Sequence, residues 1–157
     1  MLNIIQGDLL ELAEAGEFDI IVQGCNCFNT MGSGLAKQIK DRYPLAYEVD
    51  CETELGDYNK LGNYTVSWVS DGEHRFHIIN AYTQYDFSRG TDVFNYIAFS
   101  LILQKLEHAY PGKRYGFPRI GSGLAGGDAD TIAGMIDTFR FDIEQAGGTV
   151  TIVDYQP

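Results

Sequence analysis

Nothing in the 157-residue sequence approaches the run of about 18 apolar residues that a membrane-spanning helix requires, which excludes a membrane partner of that kind. No basic and then apolar leader precedes the alternating stretch Leu2 to Gln6, so a cytoplasmic setting is expected. Cysteine is scarce: Cys25, Cys27 and Cys51 are odd in number and form no CxxC pair, which argues for reduced thiols. His74, His77 and His108 lack ligand spacing, and no metal or cofactor is expected. The chain has no G-x-x-x-x-G-K-[ST] loop and no G-x-S-x-G elbow, which removes the usual signatures of P-loop NTPases and α/β-hydrolases. Basic residues are few, 11 against 22 acidic, and the net charge of −11 gives no field to gather long nucleic acid. A small anion is still accommodated, because backbone amides at a helix N-terminus act locally. With no linker and no internal repeat, 1–157 reads as a single domain, by default a monomer.

What is present is an alternation of strand and helix patterns. Short β-branched or aromatic runs at Leu2–Gln6, Phe18–Gln23, Tyr64–Val69, Phe76–Ala81, Arg114–Pro118 and Val150–Tyr155 predict six strands. Helical patterns fall at Leu9–Ala15, Gly34–Tyr43, Ala46–Leu55, Asp92–His108 and Ala129–Ala146. In the last, Ile132, Met135, Ile136, Phe139 and Ile143 form one stripe, and Gly147-Gly148 stops it. Phe94, Ile97, Ala98 and Leu101 make a similar face, with Thr91 as the expected N-cap. Ser70-Asp71-Gly72-Glu73 is the one hairpin-like turn. Strands otherwise separated by helices predict an α/β fold with a mixed, mostly parallel sheet covered on both faces.

In such a sheet ligands collect where strands end and helices begin. Two glycine-rich loops hold that position, Gly24 to Gly34 and Arg119 to Asp128, and each carries Gly-Ser-Gly just before a helix. Missing Cβ atoms let the backbone approach an oxygen-rich ligand, and two such loops could clamp two linked phosphates. Each loop taken alone is equally explained by a turn needing positive φ or close packing. Gly121, Gly123 and Gly126 also satisfy G-x-G-x-x-G, but a dinucleotide-binding fingerprint belongs in the first βα turn, and only one helix and one strand follow here. Asp8 suits either a helix N-cap or an adenine amino group, and Asp128 an N-cap for the last helix. Asn26 and Asn29 could bond ribose hydroxyls or shape the turn, and Tyr82, Thr83 and Gln84 could wall the cleft or pack.

Gly7-Asp8-Leu9, the Asn26 to Ala36 loop and Pro118-Arg119-Ile120-Gly121-Ser122-Gly123-Leu124 together resemble macro domains. More narrowly, Gly24-Cys25-Asn26-Cys27 with Met31-Gly32-Ser33-Gly34-Leu35-Ala36 and Arg42-Tyr43-Pro44 is similar to the branch holding ADP-ribose-1''-phosphate phosphatases and terminal ADP-ribose glycohydrolases. The resemblance implies a three-layer α-β-α macro domain with a mixed six-stranded sheet. It implies that Asp8 reads adenine, that the Met31–Leu35 and Ile120–Leu124 loops hold the diphosphate, and that Asn26 lies near the distal ribose, with Gly7, Leu9, Thr83 and Pro118 as further ligand-binding candidates.

Three positions depart from that branch. Gln84 stands where the glycohydrolases carry a lysine, and an amide cannot form a Schiff base. Ala125 replaces an acidic residue, leaving Asp128 as the nearest carboxylate, and Gln23 replaces a histidine of a similar phosphatase. The expected activity is hydrolysis of ADP-ribose-1''-phosphate to ADP-ribose and phosphate, with Asn26, Asn29 and Asp128 as catalytic residues and Ser33 assisting. The alternatives are a non-catalytic reader or scavenger of ADP-ribose and a water-dependent ADP-ribosyl hydrolase.

Overall fold

A computed structural model describes residues 2–70, 72–86, 93–123 and 125–156. Asp71 of the expected hairpin turn, the expected cap Thr91 and the candidate ligand residue Leu124 lie outside them. The elements run β1 (Asn3–Gly7), α1 (Leu9–Glu14), β2 (Ile20–Cys25), α2 (Gly34–Arg42), α3 (Pro44–Cys51), β3 (Tyr64–Val69), β4 (Phe76–Tyr82), α4 (Tyr96–Ala109), β5 (Arg114–Phe117), α5 (Ala129–Gln145) and β6 (Thr149–Tyr155). A 3-10 turn at Tyr58–Lys60 precedes β3.

The strands form one sheet in the order β1-β6-β5-β2-β4-β3. Every pairing is parallel except β3 with β4, which are antiparallel neighbours in sequence and in space. Alternation along the central strands divides the core into two layers. Ile20, Val22, Ile79, Phe117 and Ile152 face α4 and α5, while Ile21, Ile78 and Val153 face α1, α2 and α3. This is a three-layer α-β-α sandwich, as expected.

The fourth helix departs from the expectation. It begins at Tyr96 because Phe94 bridges to Gln84 and the Asn95 N–H donates to the Thr83 carbonyl at 2.7 Å, holding that stretch extended. Asn95 is the cap, its side chain accepting from the Ala98 N–H at 2.9 Å. The expected face is therefore out of phase. Ile97 is 76% and Leu101 44% exposed, whereas Ala98, Phe99, Ile102, Leu103 and Leu106 are buried. Phe94 is buried too, but it precedes the helix, so a helical period counted from it starts at the wrong angle. The last helix follows its stripe: Ile132, Ile136, Phe139 and Ile143 are buried. Among the described residues no helix is long and apolar enough to cross a membrane.

Candidate ligand-binding site

The topology sets the position of the cleft. β5 and β2 are neighbours, yet the chain leaves β2 for α2 on one face and β5 for α5 on the other. Diverging connections open a crevice at the carboxyl ends of those strands, a topological switch point. The two glycine-rich loops flank it. On the floor, a Cβ added to Gly24 would lie 3.0 Å from Thr83 Oγ1 and 3.1 Å from Ile120 Cγ1, so β2, β4 and the second loop converge there. Thr83 is 1% exposed, and its hydroxyl has no hydrogen-bond partner among the described residues.

The loops are built differently. In the first, Asn26 Oδ1 accepts from the Phe28 N–H at 2.8 Å and its Nδ2 donates to Thr30 Oγ1 at 2.7 Å. An amide of this kind retains one N–H and one lone pair for a ligand. Asn29 adopts φ 56°, the one positive φ outside glycine among the described residues. Met31 is buried and accepts on sulfur from Gln23 Nε2 at 3.8 Å, so its side chain lies beneath the loop. Gly32 and Gly34 then face open space, and Gly34 has φ +59°. Ser33, the N-cap of α2, makes no side-chain capping bond. The first turn of α2 thus presents amides that no described side chain caps, at the positive end of the helix dipole.

In the second loop the glycines mostly pack. Gly121 has φ +73°, and a Cβ there would sit 2.2 Å from Phe94 Cδ1; one on Gly127 would lie 2.8 Å from the Gly121 carbonyl oxygen. Only Gly123 of this group meets nothing within 4 Å. Ile120 is core, Pro118 is half-buried, and Ser122 Oγ donates to the Arg119 carbonyl at 3.0 Å. Asp128 caps α5, Oδ2 accepting from the Thr131 N–H at 2.9 Å and from Thr131 Oγ1 at 2.6 Å. Those bonds hold its carboxyl below the usual aspartate range.

At the carboxyl end of β1, beyond β6, Asp8 caps α1, accepting from the Leu10 and Glu11 N–H groups at 2.9 and 3.1 Å. Gly7 ends β1 and its carbonyl accepts from the Gln156 N–H, while Leu9 is buried in the core. Leu35 is half-buried against the α1–α3 layer. Arg119 is paired with Asp154 at 2.6 Å. The cradle is accordingly one of backbone amides more than of cationic side chains. Gln84 donates to the Asp86 carbonyl at 2.7 Å.

Beside the crevice, at the β4–α4 connection, is a cavity of about 570 Å³ with Tyr58, Tyr85, Phe94, Asn95 and Tyr96 in its walls. The Tyr96 hydroxyl accepts from the Asp128 N–H at 2.8 Å, which ties this cavity to the second loop. No lysine or arginine lines it among the described residues.

A buried polar network beneath the first loop escaped the sequence. Lys60, 7% exposed, donates to Asn29 Oδ1 and Thr53 Oγ1. Asp50, 1% exposed, accepts from the Tyr82 hydroxyl at 2.7 Å, and burial pushes its carboxyl up against the opposing effects of Tyr82 and Lys60. These residues are dispersed in sequence, and only the preference of Asn for positive φ hinted at the arrangement.

A switch-point crevice between two glycine-rich loops is a place where α/β proteins take up ligands. No protein-family model matches the sequence. The chain is 36% identical over 162 residues to the uncharacterized 17.5 kDa protein in the tk-vs intergenic region of Enterobacteria phage T4, spanning 100% of this chain and 98% of that one. A shorter likeness, 38% over 45 residues, covers 29% of this chain and 21% of an ADP-ribose 1''-phosphate phosphatase of Aspergillus oryzae. Among solved structures, the macrodomain of Mycobacterium tuberculosis DarG superposes with a TM-score of 0.69 at 21% identity, covering 100% of this chain and 98% of that one. Thermosipho africanus DarTG, in complex with ADP-ribose, gives 0.73 at 17% identity, covering 98% of this chain and 42% of that one. The chain has the macrodomain fold.

Proposed function

We propose that the crevice binds ADP-ribose, with the diphosphate between the two glycine-rich loops, adenine toward Asp8 and the distal ribose toward Asn26 and Thr83. The observation that carries this is the side-chain-uncapped N-terminus of α2, opened by Gly32 and Gly34, with Gly123 of the second loop likewise open. A diphosphate supplies the acceptors that these amides need, in a protein whose net charge offers no other attraction. The solved DarTG complex with ADP-ribose supports the choice of ligand.

The reaction we propose is hydrolysis of ADP-ribose-1''-phosphate. Water attacks phosphorus, the bond from phosphorus to the anomeric oxygen breaks, and that oxygen takes up a proton, giving ADP-ribose and phosphate. Asn26 orients the terminal group through its remaining N–H, and Asp128, at the end of the second loop, is the carboxylate that accepts a proton from water. Asn29 shapes the loop from behind. The likeness to the Aspergillus oryzae phosphatase supports this chemistry over its 45 residues. Phosphate release from ADP-ribose-1''-phosphate, compared among wild type, Asn26→Ala and Asp128→Ala, tests it. Turnover that falls in both variants is expected; tight ADP-ribose binding with no release by the wild type leaves a binding module instead.

The cavity walled by Tyr58, Tyr85 and Phe94 favours a second reaction, water-dependent release of ADP-ribose from a larger attached group. Its described walls are mainly aromatic and aliphatic, with Asp86 as the one charged residue among them, which suits an aromatic substituent better than an anionic one. Release of ADP-ribose from an aryl-linked conjugate, at a rate exceeding phosphate release, is its signature.

A further inference from the structure

Lys60 is the one lysine or arginine that is buried among the described residues, in a chain with few basic groups. A buried ammonium is costly to desolvate, so its retention implies that its hydrogen bonds determine something local. They converge on one residue. Lys60 Nζ donates to Asn29 Oδ1 at 2.7 Å and to Thr53 Oγ1 at 2.8 Å. Thr53 also meets Asn29: its carbonyl accepts from Nδ2 at 3.3 Å, and its hydroxyl, whose proton goes to the Asp50 carbonyl at 2.6 Å, lies 3.2 Å from Oδ1. Asn29 is held from beneath in the left-handed region, where a side chain is otherwise disfavoured. Two residues on, Met31 is buried, and then the chain emerges as Gly32-Ser33-Gly34.

We infer that Lys60 is a positioning residue for the crevice: by clamping Asn29 in its left-handed turn, it sets the path of Thr30–Ser33 and aims the first amides of α2 at the ligand. Lys60 does not touch the ligand in this arrangement. Its effect passes through Asn29 and the loop backbone. The inference rests on the ADP-ribose reading for its functional consequence, but the clamp itself is testable without ligand.

The test uses the full chain with Lys60→Met and, where that variant folds poorly, Lys60→Gln, whose side chain is shorter than lysine. In the free protein, nuclear magnetic resonance should show amide shifts concentrated in residues 29–35, and an Asn29 HN–Hα coupling that leaves its left-handed value. The second loop should be unchanged. ADP-ribose affinity measured by calorimetry should weaken about tenfold, the size expected for losing a hydrogen bond to a charged group. In an Asn29→Gly background, where glycine enters the left-handed region without a clamp, Lys60→Met should change affinity less than twofold. Equal losses in both backgrounds would mean that Lys60 acts as a distant charge and would overturn the inference. So would unaltered amides in residues 29–35 of a folded variant. Failure of the wild type to bind ADP-ribose refutes the ligand, while the resonance measurements still decide the clamp.

Discussion

The two loops share Gly-Ser-Gly and a place before a helix, yet they do opposite things with them. In the second, Gly121 and Gly127 are glycine because Phe94 and the loop's own backbone occupy the space a side chain would need, and Asp128 caps the helix that follows. In the first, Gly32 and Gly34 meet nothing, Ser33 caps nothing through its side chain, and the loop is held by Lys60, Thr53 and Gln23 from below. One loop packs through its glycines. The other is braced from its underside and open on top. A short glycine motif therefore does not state its role; the neighbours of each missing Cβ do.

The largest effect that would sharpen this contrast is Gly121→Ala. It combines a left-handed backbone with a Cβ 2.2 Å from the Phe94 ring, and we expect a loss of about 3 kcal/mol or more in urea denaturation. A loss below about 1 kcal/mol would show that Phe94 yields easily and that the second loop is not glycine-packed. Next in size is Gly34→Ala, where φ is +59° but the space is open, so only the backbone term of about 1 kcal/mol should be felt. Gly123→Ala lies in open space without that backbone demand and should stay within about 0.5 kcal/mol of wild type.

The helix caps supply the most selective contrast. Asp128→Ala should lower the urea midpoint at neutral pH, whereas Ser33→Ala should leave it unchanged. The sign with pH follows from the direction of the shift. Because the folded carboxyl of Asp128 is held below its ordinary value, its contribution is present above the usual aspartate range and disappears as pH falls through the lowered folded value. Wild type and Asp128→Ala should therefore converge in acid. A Ser33→Ala variant that unfolds as early as Asp128→Ala would erase the distinction between the two helix starts.

Much of this was legible in order along the chain. The strands lie within two residues of the expected runs, since β-branched alternation and Gly, Asp or Pro boundaries are local signals. Asp8 and Asp128 were readable as caps, and they cap. The start of α4 was not readable, because what delays it is a non-local bridge between Gln84 and Phe94. The packing roles of Gly121 and Gly127 and the clamp on Asn29 were hidden for the same reason. Lys60 reads as an ordinary charged turn residue until Thr53 and Asn29 are brought around it.

Titration of ADP-ribose into wild type and Gly123→Glu, followed by calorimetry, bears most directly on the crevice. The glutamate is expected to be accommodated in open space without unfolding the chain, and its carboxylate would stand where the diphosphate is proposed to lie. Saturable micromolar binding by the wild type, lost in a folded Gly123→Glu, is the predicted result. Wild-type affinity no tighter than millimolar, or unchanged binding in the variant, would contradict it.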